Sequence, residues 1–219
     1  MAQGYIKAAD LPQVIPVLPL SGTILLPRGQ LPLNIFEPRY LNMIDDAMAA
    51  DRMIGMIQPL GGPVDLPVLS PVGCAGRITN FAETSDGRYL ITLTGCARFR
   101  VTGELSTQTP YRHVRADFSA FESDLASPRE DLDIDRETLL EALRAYLESR
   151  GLEVDWDTAA GAPPEALVNS LSMALPFDPP EKQALIEAIS LMDRCAVLTA
   201  LMRIDAADTG DGETPPSIQ

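Results

Sequence analysis

Residues 72–101, VGCAGRITNFAETSDGRYLITLTGCARFRV, decide the fold class that the sequence predicts. Two runs within this stretch, Val72–Phe81 and Tyr89–Thr94, combine apolar and β-branched residues and flank a short polar segment. The Asp86-Gly87 pair in that segment is a strong hairpin signal, because glycine tolerates the positive φ that a tight turn demands. The stretch therefore predicts an antiparallel hairpin.

Short apolar runs on both sides of the hairpin predict further strands, broken by Pro and Gly. These runs are Gln13–Leu20, Leu33–Phe36, Arg52–Gln58, Arg98–Val101 and Tyr111–Phe118. Glu37-Pro38 opens a helix between two of them, with proline at a first-turn position where no amide donor is needed. Apolar residues recur in that helix at three-to-four spacing. Residues 1–120 thus predict about six strands with one helix, in a closed or strongly curled sheet.

Helical periodicity replaces the strand pattern after residue 120, so the predicted fold class is α+β. An acidic stretch at 121–135 is interpreted as a solvated linker that contains Asp124, and residues 136–204 as an α-helical bundle. Four helix starts or stops mark the bundle: Gly151, Pro163-Pro164, Asp178 with Glu181, and Ser190 with Asp193. Residues 205–219 have no apolar period and are predicted to form a disordered tail.

Charge argues against nucleic acid as the partner. The net charge is −14; residues 1–115 carry ten Lys and Arg against nine Asp and Glu, whereas residues 116–219 carry seven against twenty-two. Such a field repels phosphate backbones, whose neutralisation provides most of the affinity for nucleic acids.

Other features of composition indicate a cytoplasmic protein without a cofactor. The sequence has neither an apolar run long enough to span a membrane nor a signal peptide. We interpret the three cysteines as buried thiols of a reducing compartment, and the single histidine, His113, as a solvent-facing strand residue. One histidine and no paired cysteines argue against a zinc site and against a Ser-His-Asp triad, and no cofactor is expected.

Two motifs leave alternatives open. In Glu37-Pro-Arg-Tyr40, Arg39 and Tyr40 would suit contacts with peptide carbonyls or carboxylates. The structural interpretation, which we favour, has Glu37 capping the helix, Arg39 paired with a carboxylate and Tyr40 in the core. The methionines would likewise suit an adaptable apolar groove, although most are expected in the core.

Several blocks of the sequence, in order, resemble the N-terminal, substrate-recognising domain of Lon proteases. The blocks are Ile15–Leu20 (IPVLPL), Leu26-Pro27, Leu31–Tyr40 (LPLNIFEPRY), Val72–Ile78 (VGCAGRI), Asp86-Gly87, Thr94–Arg100 (TGCARFR), Val168-Asn169, Leu175-Pro176 and Glu181–Gln183 (EKQ). Each block is weak alone, and together they are specific. The resemblance implies a PUA-like curled β-domain followed by a helical bundle.

The resemblance also implies a function. The sequence lacks a GxxxxGK[ST] phosphate-binding loop and any matched peptidase segment, so we expect a free-standing, non-enzymatic module. It would bind unfolded polypeptides or client proteins, and an ATP-dependent protease is a candidate partner. Candidate polypeptide-binding residues from the matched motifs are Phe36, Arg39, Tyr40 and Met43. Two alternatives are a regulatory protein with one dedicated partner and, less favoured, a PUA-like RNA binder; a membrane partner is not expected.

Overall fold

The computed structural model describes residues 5–63, 66–128, 134–152 and 155–210. The strands are β1 (Val14–Pro19), β2 (Gln30–Ile35), β3 (Met53–Gly61), β4 (Val68–Glu83), β5 (Tyr89–Leu105) and β6 (Arg112–Asp117). The α-helices are α1 (Pro38–Ala49), α2 (Arg136–Arg150), α3 (Trp156–Gly161), α4 (Pro164–Ala174), α5 (Pro179–Glu187) and α6 (Leu191–Gly210). Two 3-10 helices cover Ala8–Asp10 and Ser119–Leu125. The α+β class is confirmed, with one α-helix among the strands.

The chain falls into two compact units, which are described separately. The first, called here the β unit, comprises Met1–Pro128 together with Met173–Glu187; the second, the helical unit, comprises Arg129–Ser172 and Ala188–Gln219. Helix α5 therefore belongs with the strands, although the sequence placed it in the bundle at 136–204. The domain boundaries drawn from the sequence otherwise remain a prediction.

Five strands of the β unit close into a barrel. The sheet order is β2-β5-β4-β3-β1-β6, and an additional β5–β6 pairing joins the two sides. All neighbours are antiparallel except β1 and β3, which run parallel because α1 connects them after β2. Strand β2 pairs only with the first half of β5, from Gln30↔Thr94 to Ile35↔Tyr89, and extends the sheet beyond the barrel.

The predicted hairpin is confirmed. Gly87 has φ +79° and its amide donates to the carbonyl of Thr84 at 3.0 Å, which closes the turn between β4 and β5. The sequence predicted Tyr89–Thr94 and Arg98–Val101 as separate strands, whereas β5 runs through both. Register shifts in the β4–β5 and β5–β6 pairings let this long strand bend. Its first half can then pair with β2 while its second half pairs with β6 and closes the barrel.

The barrel interior is filled by aliphatic and aromatic side chains from all five strands. Phe99 is fully buried and meets Phe118 edge-on, with ring centroids 6.0 Å apart. Buried members of the same cluster include Ile15, Val17, Met53, Ile57, Ala75, Ala97 and Val114. Cys74, Cys96 and Cys195 are all buried, as the sequence predicted.

The segment after β6 is part of the β unit rather than a solvated linker throughout. Asp124, which the sequence assigned to the acidic linker, is buried and pairs with the buried guanidinium of Arg98, whose charge it compensates. Glu130, Asp131 and Asp133 lie outside the described residues.

Capping signals positioned the helices of the helical unit correctly. Gly151 ends α2 with φ +64°, and at the start of α6 the amide of Ser190 donates to Asp193 while the amide of Asp193 donates to Ser190 Oγ. Helix α3 was not predicted. Helix α6 extends through Gly210, past the predicted start of the tail at 205, and residues 211–219 lie outside the described residues. None of the described helices is long and apolar enough to span a bilayer.

Candidate binding groove

One side of the β unit carries an open groove with a volume of about 730 Å³. It lies between one end of the barrel, the loop that joins β3 to β4 and the loop that joins β5 to β6. Its lining includes apolar side chains, several prolines and the rings of two tyrosines: Val17, Pro19, Tyr40, Pro59, Leu60, Leu66, Pro67, Leu105, Pro110, Tyr111 and Pro179. The volume is in the range of ligand sites in proteins, which are mostly apolar clefts.

The rim of the groove exposes large apolar side chains. Leu60 and Leu66 line it and are 60% and 63% exposed, and neighbouring Val68 is 60% exposed. Gly61 and Gly62 turn the backbone there with φ of +129° and +94°, values that only glycine adopts readily. Three exposed aliphatic residues at the end of β3, in the connection and at the start of β4 are unusual for a surface without a binding role.

The returning end of this loop is fixed by Arg112. The guanidinium donates to the carbonyl of Pro67 at 2.6 Å and to Glu104 through Nε at 3.1 Å. Arg112 and Glu104 therefore hold two walls of the groove together. Because each charge has a partner, the pair adds little net field to the groove.

Two tyrosines give the groove its aromatic surface. Tyr40 is 9% exposed, and the guanidinium of Arg39 lies over its ring at 4.6 Å. Tyr111 donates its hydroxyl to Asp46 Oδ2 at 2.6 Å. Burial, followed by that carboxylate, raises the pKa of Tyr111 to about 12, so the ring stays neutral at physiological pH.

The histidine, which the sequence predicted to face solvent, is partly exposed and lies beside Tyr111. The rings of His113 and Tyr111 have centroids 5.0 Å apart, and His113 is half-buried. Burial lowers the pKa of His113, with a smaller opposing effect from Asp46. The imidazole Nδ1 lies within hydrogen-bonding distance of the hydroxyls of Thr107 and Thr109, at 3.5 and 3.4 Å.

Helix α5 completes the groove through Pro179. The side-chain amide of the buried Gln58 donates to the carbonyl of Pro179 and to Gln183 Oε1, both at 3.0 Å, and accepts from the amide of Gly22. A buried polar side chain with three satisfied bonds fixes its neighbours in place. Pro179 is therefore held rigidly at the edge of the groove.

The structure separates the four residues singled out from the sequence. Arg39 and Tyr40 line the groove, Phe36 is 62% exposed outside it, and Met43 is fully buried. Met43 is thus unable to touch a ligand directly in this conformation. Most described methionines are likewise core residues.

The structural interpretation of the Glu37–Tyr40 motif holds in part. Arg39 pairs with Glu37, with 2.9 Å between Nη2 and Oε2. Glu37 occupies the N-cap position of α1, but its side chain makes no capping bond because it binds Arg39 instead.

Sequence reasoning missed the rim residues and Tyr111. A sequence signal for the rim existed, since Leu60 and Leu66 stand beside Gly61-Gly62 and Pro67, in a loop where apolar side chains have no core to enter. Tyr111 and Arg112 gave no comparable signal. Among the described residues, no group of three or more His, Cys, Asp or Glu is placed to hold a metal ion.

Sequence relatives of this chain are Lon proteases. It is 29% identical over 210 residues to Lon protease 2 of Myxococcus xanthus and 26% identical over 211 residues to the Lon protease of Anaeromyxobacter dehalogenans. These alignments cover 91% and 90% of this chain but 24% of each relative, so the chain spans about a quarter of their length.

Solved structures agree on the fold. The Lon N-terminal domain protein from Xanthomonas campestris matches 85% of this chain and 97% of its own, with TM-score 0.61 and 21% identity. The N-terminal domain of Mycobacterium avium complex Lon protease matches 91% of this chain and all of its own, again with TM-score 0.61 and 21% identity. Residues 14–203 match the model of the ATP-dependent protease La (LON) substrate-binding domain. The chain belongs to this Lon substrate-binding domain family.

Proposed function

We propose that the groove binds exposed apolar segments of other polypeptides and that the chain is a recognition module without catalysis of its own. The observation that carries this proposal is the exposure of Leu60, Leu66 and Val68 at the groove rim. These side chains offer apolar surface to a ligand, and the largely buried rings of Tyr40 and Tyr111 also line the groove. Membership of a substrate-binding family supports the same assignment.

The expected affinity is modest. Burial of two or three aliphatic side chains of a client contributes roughly 3–9 kcal/mol before the costs of association. Loss of translational freedom and ordering of an unfolded segment offset most of that gain. Weak binding of many sequences is therefore the expected mode, and it suits recognition of misfolded proteins rather than of one partner.

The open edge of β2 is a less favourable site for a client strand. The amide of Arg28 donates to the carbonyl of Gly95, and the amide of Gly95 donates to the carbonyl of Gly29. Along an antiparallel strand the backbone groups face the two sides in alternation, so those of Gln30, Pro32 and Asn34 face the open side of β2. Pro32 has no amide hydrogen to donate to an added strand. We therefore assign client binding to the groove rather than to this edge.

An adaptor role follows from the same proposal. In that role the chain would capture unfolded segments and deliver them to an ATP-dependent protease. We place this activity in the cytoplasm, which suits three buried cysteine thiols.

The test is binding of fluorescently labelled, reduced and carboxymethylated lactalbumin, an unfolded polypeptide, measured by anisotropy. Leu60→Ser combined with Leu66→Ser should weaken binding at least tenfold. Leu90→Ser is the matched control, because Leu90 is a similarly exposed leucine outside the groove, and it should bind like the parent protein.

Salt separates this proposal from a dedicated partner docked by charge. Apolar capture persists at high salt, whereas contacts of the acidic residues with a basic surface are screened. Absence of binding by the parent protein, or equal loss in the Leu90 control, would refute the groove assignment. Degradation of the labelled polypeptide by the purified chain, with or without ATP, would refute the non-enzymatic role.

A further inference from the structure

The outward face of α6 has a self-complementary pattern, and we infer that it pairs with α6 of a second copy of this chain in antiparallel orientation. The inward face of the helix is buried through Cys195, Leu198 and Met202. On the opposite side, Met192 and Ile204 are 56% and 55% exposed. Two large apolar side chains on the outside of a helix whose inward face is already buried indicate a surface that is covered in the assembled state.

The centre of this face is made of small residues. Ala196 and Ala200 are exposed between Met192 and Ile204, and the four residues follow one another at intervals of four, which places them in one row along the helix surface. Side chains this small let a second helix approach closely. The large residues at the two ends then pack around the flanks of that contact.

Charge specifies the orientation. Asp193 lies five residues before the buried Leu198 and Arg203 lies five residues after it, and both are exposed on the outward face. In an antiparallel pair centred at this point, Asp193 of one copy stands level with Arg203 of the other, and Met192 stands level with Ile204. A parallel pair would instead bring like charges level, at a cost that an antiparallel pair avoids.

The surface next to the row is also apolar, which enlarges the contact. A groove of about 390 Å³ lies between the start of α2 and this side of α6. Its lining is mostly apolar and includes Ile134, Met192, Cys195, Ala196 and Ala200, with Asp135 and Arg203 as its charged members. The row from Met192 to Ile204 is roughly 18 Å long at the helical rise. One helix face of this size suits a weak, reversible dimer rather than an obligate one.

The experiment is sedimentation velocity of the full chain over two decades of protein concentration. The sedimentation coefficient of the parent protein should rise from monomer to dimer, with a micromolar dissociation constant. Ala200→Glu places like charges at the centre of the contact and should leave a monomer at every concentration. Arg203→Glu should weaken the dimer about tenfold, because it sets two acidic residues level.

The control is Ala145→Glu, which adds the same charge at an exposed alanine of α2 and should dimerise like the parent protein. Circular dichroism checks that each variant keeps its helices. A parent protein that stays monomeric at all concentrations overturns the inference, and so does a dimer that Ala200→Glu leaves intact. Client binding in the groove should be unchanged in Ala200→Glu, so this result is independent of the proposed function.

Discussion

The guanidinium of Arg98 binds both carboxylate oxygens of Asp124 inside the β unit, at 2.8 Å from Nη2 and 2.9 Å from Nε. Asp124 also accepts from the backbone amide of Arg98 at 3.0 Å, and the guanidinium stacks on the ring of Phe121 at 4.3 Å. Arg98 Nη1 donates to the carbonyl of Ile186, in the last turn of α5. One buried cation thus ties together β5, the segment after β6 and the end of α5.

Removal of the carboxylate should be severe. Asp124→Ala leaves the guanidinium buried without its counter-charge, and we expect a loss of about 3–5 kcal/mol in the free energy of unfolding. Glu37→Ala, which breaks the exposed pair with Arg39, should cost less than about 1 kcal/mol. Urea unfolding monitored by circular dichroism gives both values, and equal costs for the two variants would contradict the structure.

Two glycines of β5 should respond very differently to the same substitution. A Cβ at Gly95 would meet the carbonyl oxygen of Leu26 at 2.0 Å, whereas a Cβ at Gly103 has no neighbour within 4 Å. Because a backbone atom has to move, Gly95→Ala should destabilise by about 2 kcal/mol or more, by analogy with overpacked sites. Gly103→Ala should be close to neutral. Thermal unfolding of both variants decides the matter.

Lys182 should make stability rise with pH. It is buried and donates to the carbonyl of Met173 at 2.8 Å, and burial lowers the pKa of Lys182 from 10.5 to about 8. Between these two pH values the unfolded chain binds a proton that the folded chain has released, so the free energy of unfolding contributed by this group increases with pH.

The corresponding measurement is urea unfolding from pH 8 to pH 10. Lys182→Met should abolish this increase, because the variant has no proton to exchange at that position. Lys7→Met, at the other lysine of the chain, which is exposed, should keep it. A parent protein and a Lys182 variant with the same slope would show that the buried lysine stays charged.

Pro32 should protect the protein from edge-to-edge association. Pro32→Thr restores an amide donor on the open side of β2 and keeps a residue with high strand propensity. We expect light scattering to show oligomers that the parent protein lacks. Pro180→Thr, at an exposed proline of α5, should not produce them; oligomers in both variants would indicate general loss of stability instead.

Local patterns in the sequence predicted local structure well. Asp86-Gly87, Gly151 and the Ser190–Asp193 pair each determine the backbone over a few residues, and the structure confirms all three. The strand order and the burial of Asp124 were not accessible in this way, since they depend on contacts between residues far apart in the sequence. The groove was even harder to predict from the sequence, because its lining residues come together only after the barrel closes. Examples are Tyr40, Pro59, Tyr111 and Pro179.

The placement of α5 in the β unit has a consequence for biosynthesis. Gln183 donates to the carbonyl of Val72 at 3.2 Å and accepts from Gln58, so α5 satisfies polar groups of strands that left the ribosome much earlier. About 60 residues separate the end of β6 from Pro179, which takes roughly 3–12 s to translate. During that interval the nascent barrel lacks α5, so its groove is incomplete. We therefore expect a newly made chain to need protection by chaperones until α5 has emerged from the ribosome.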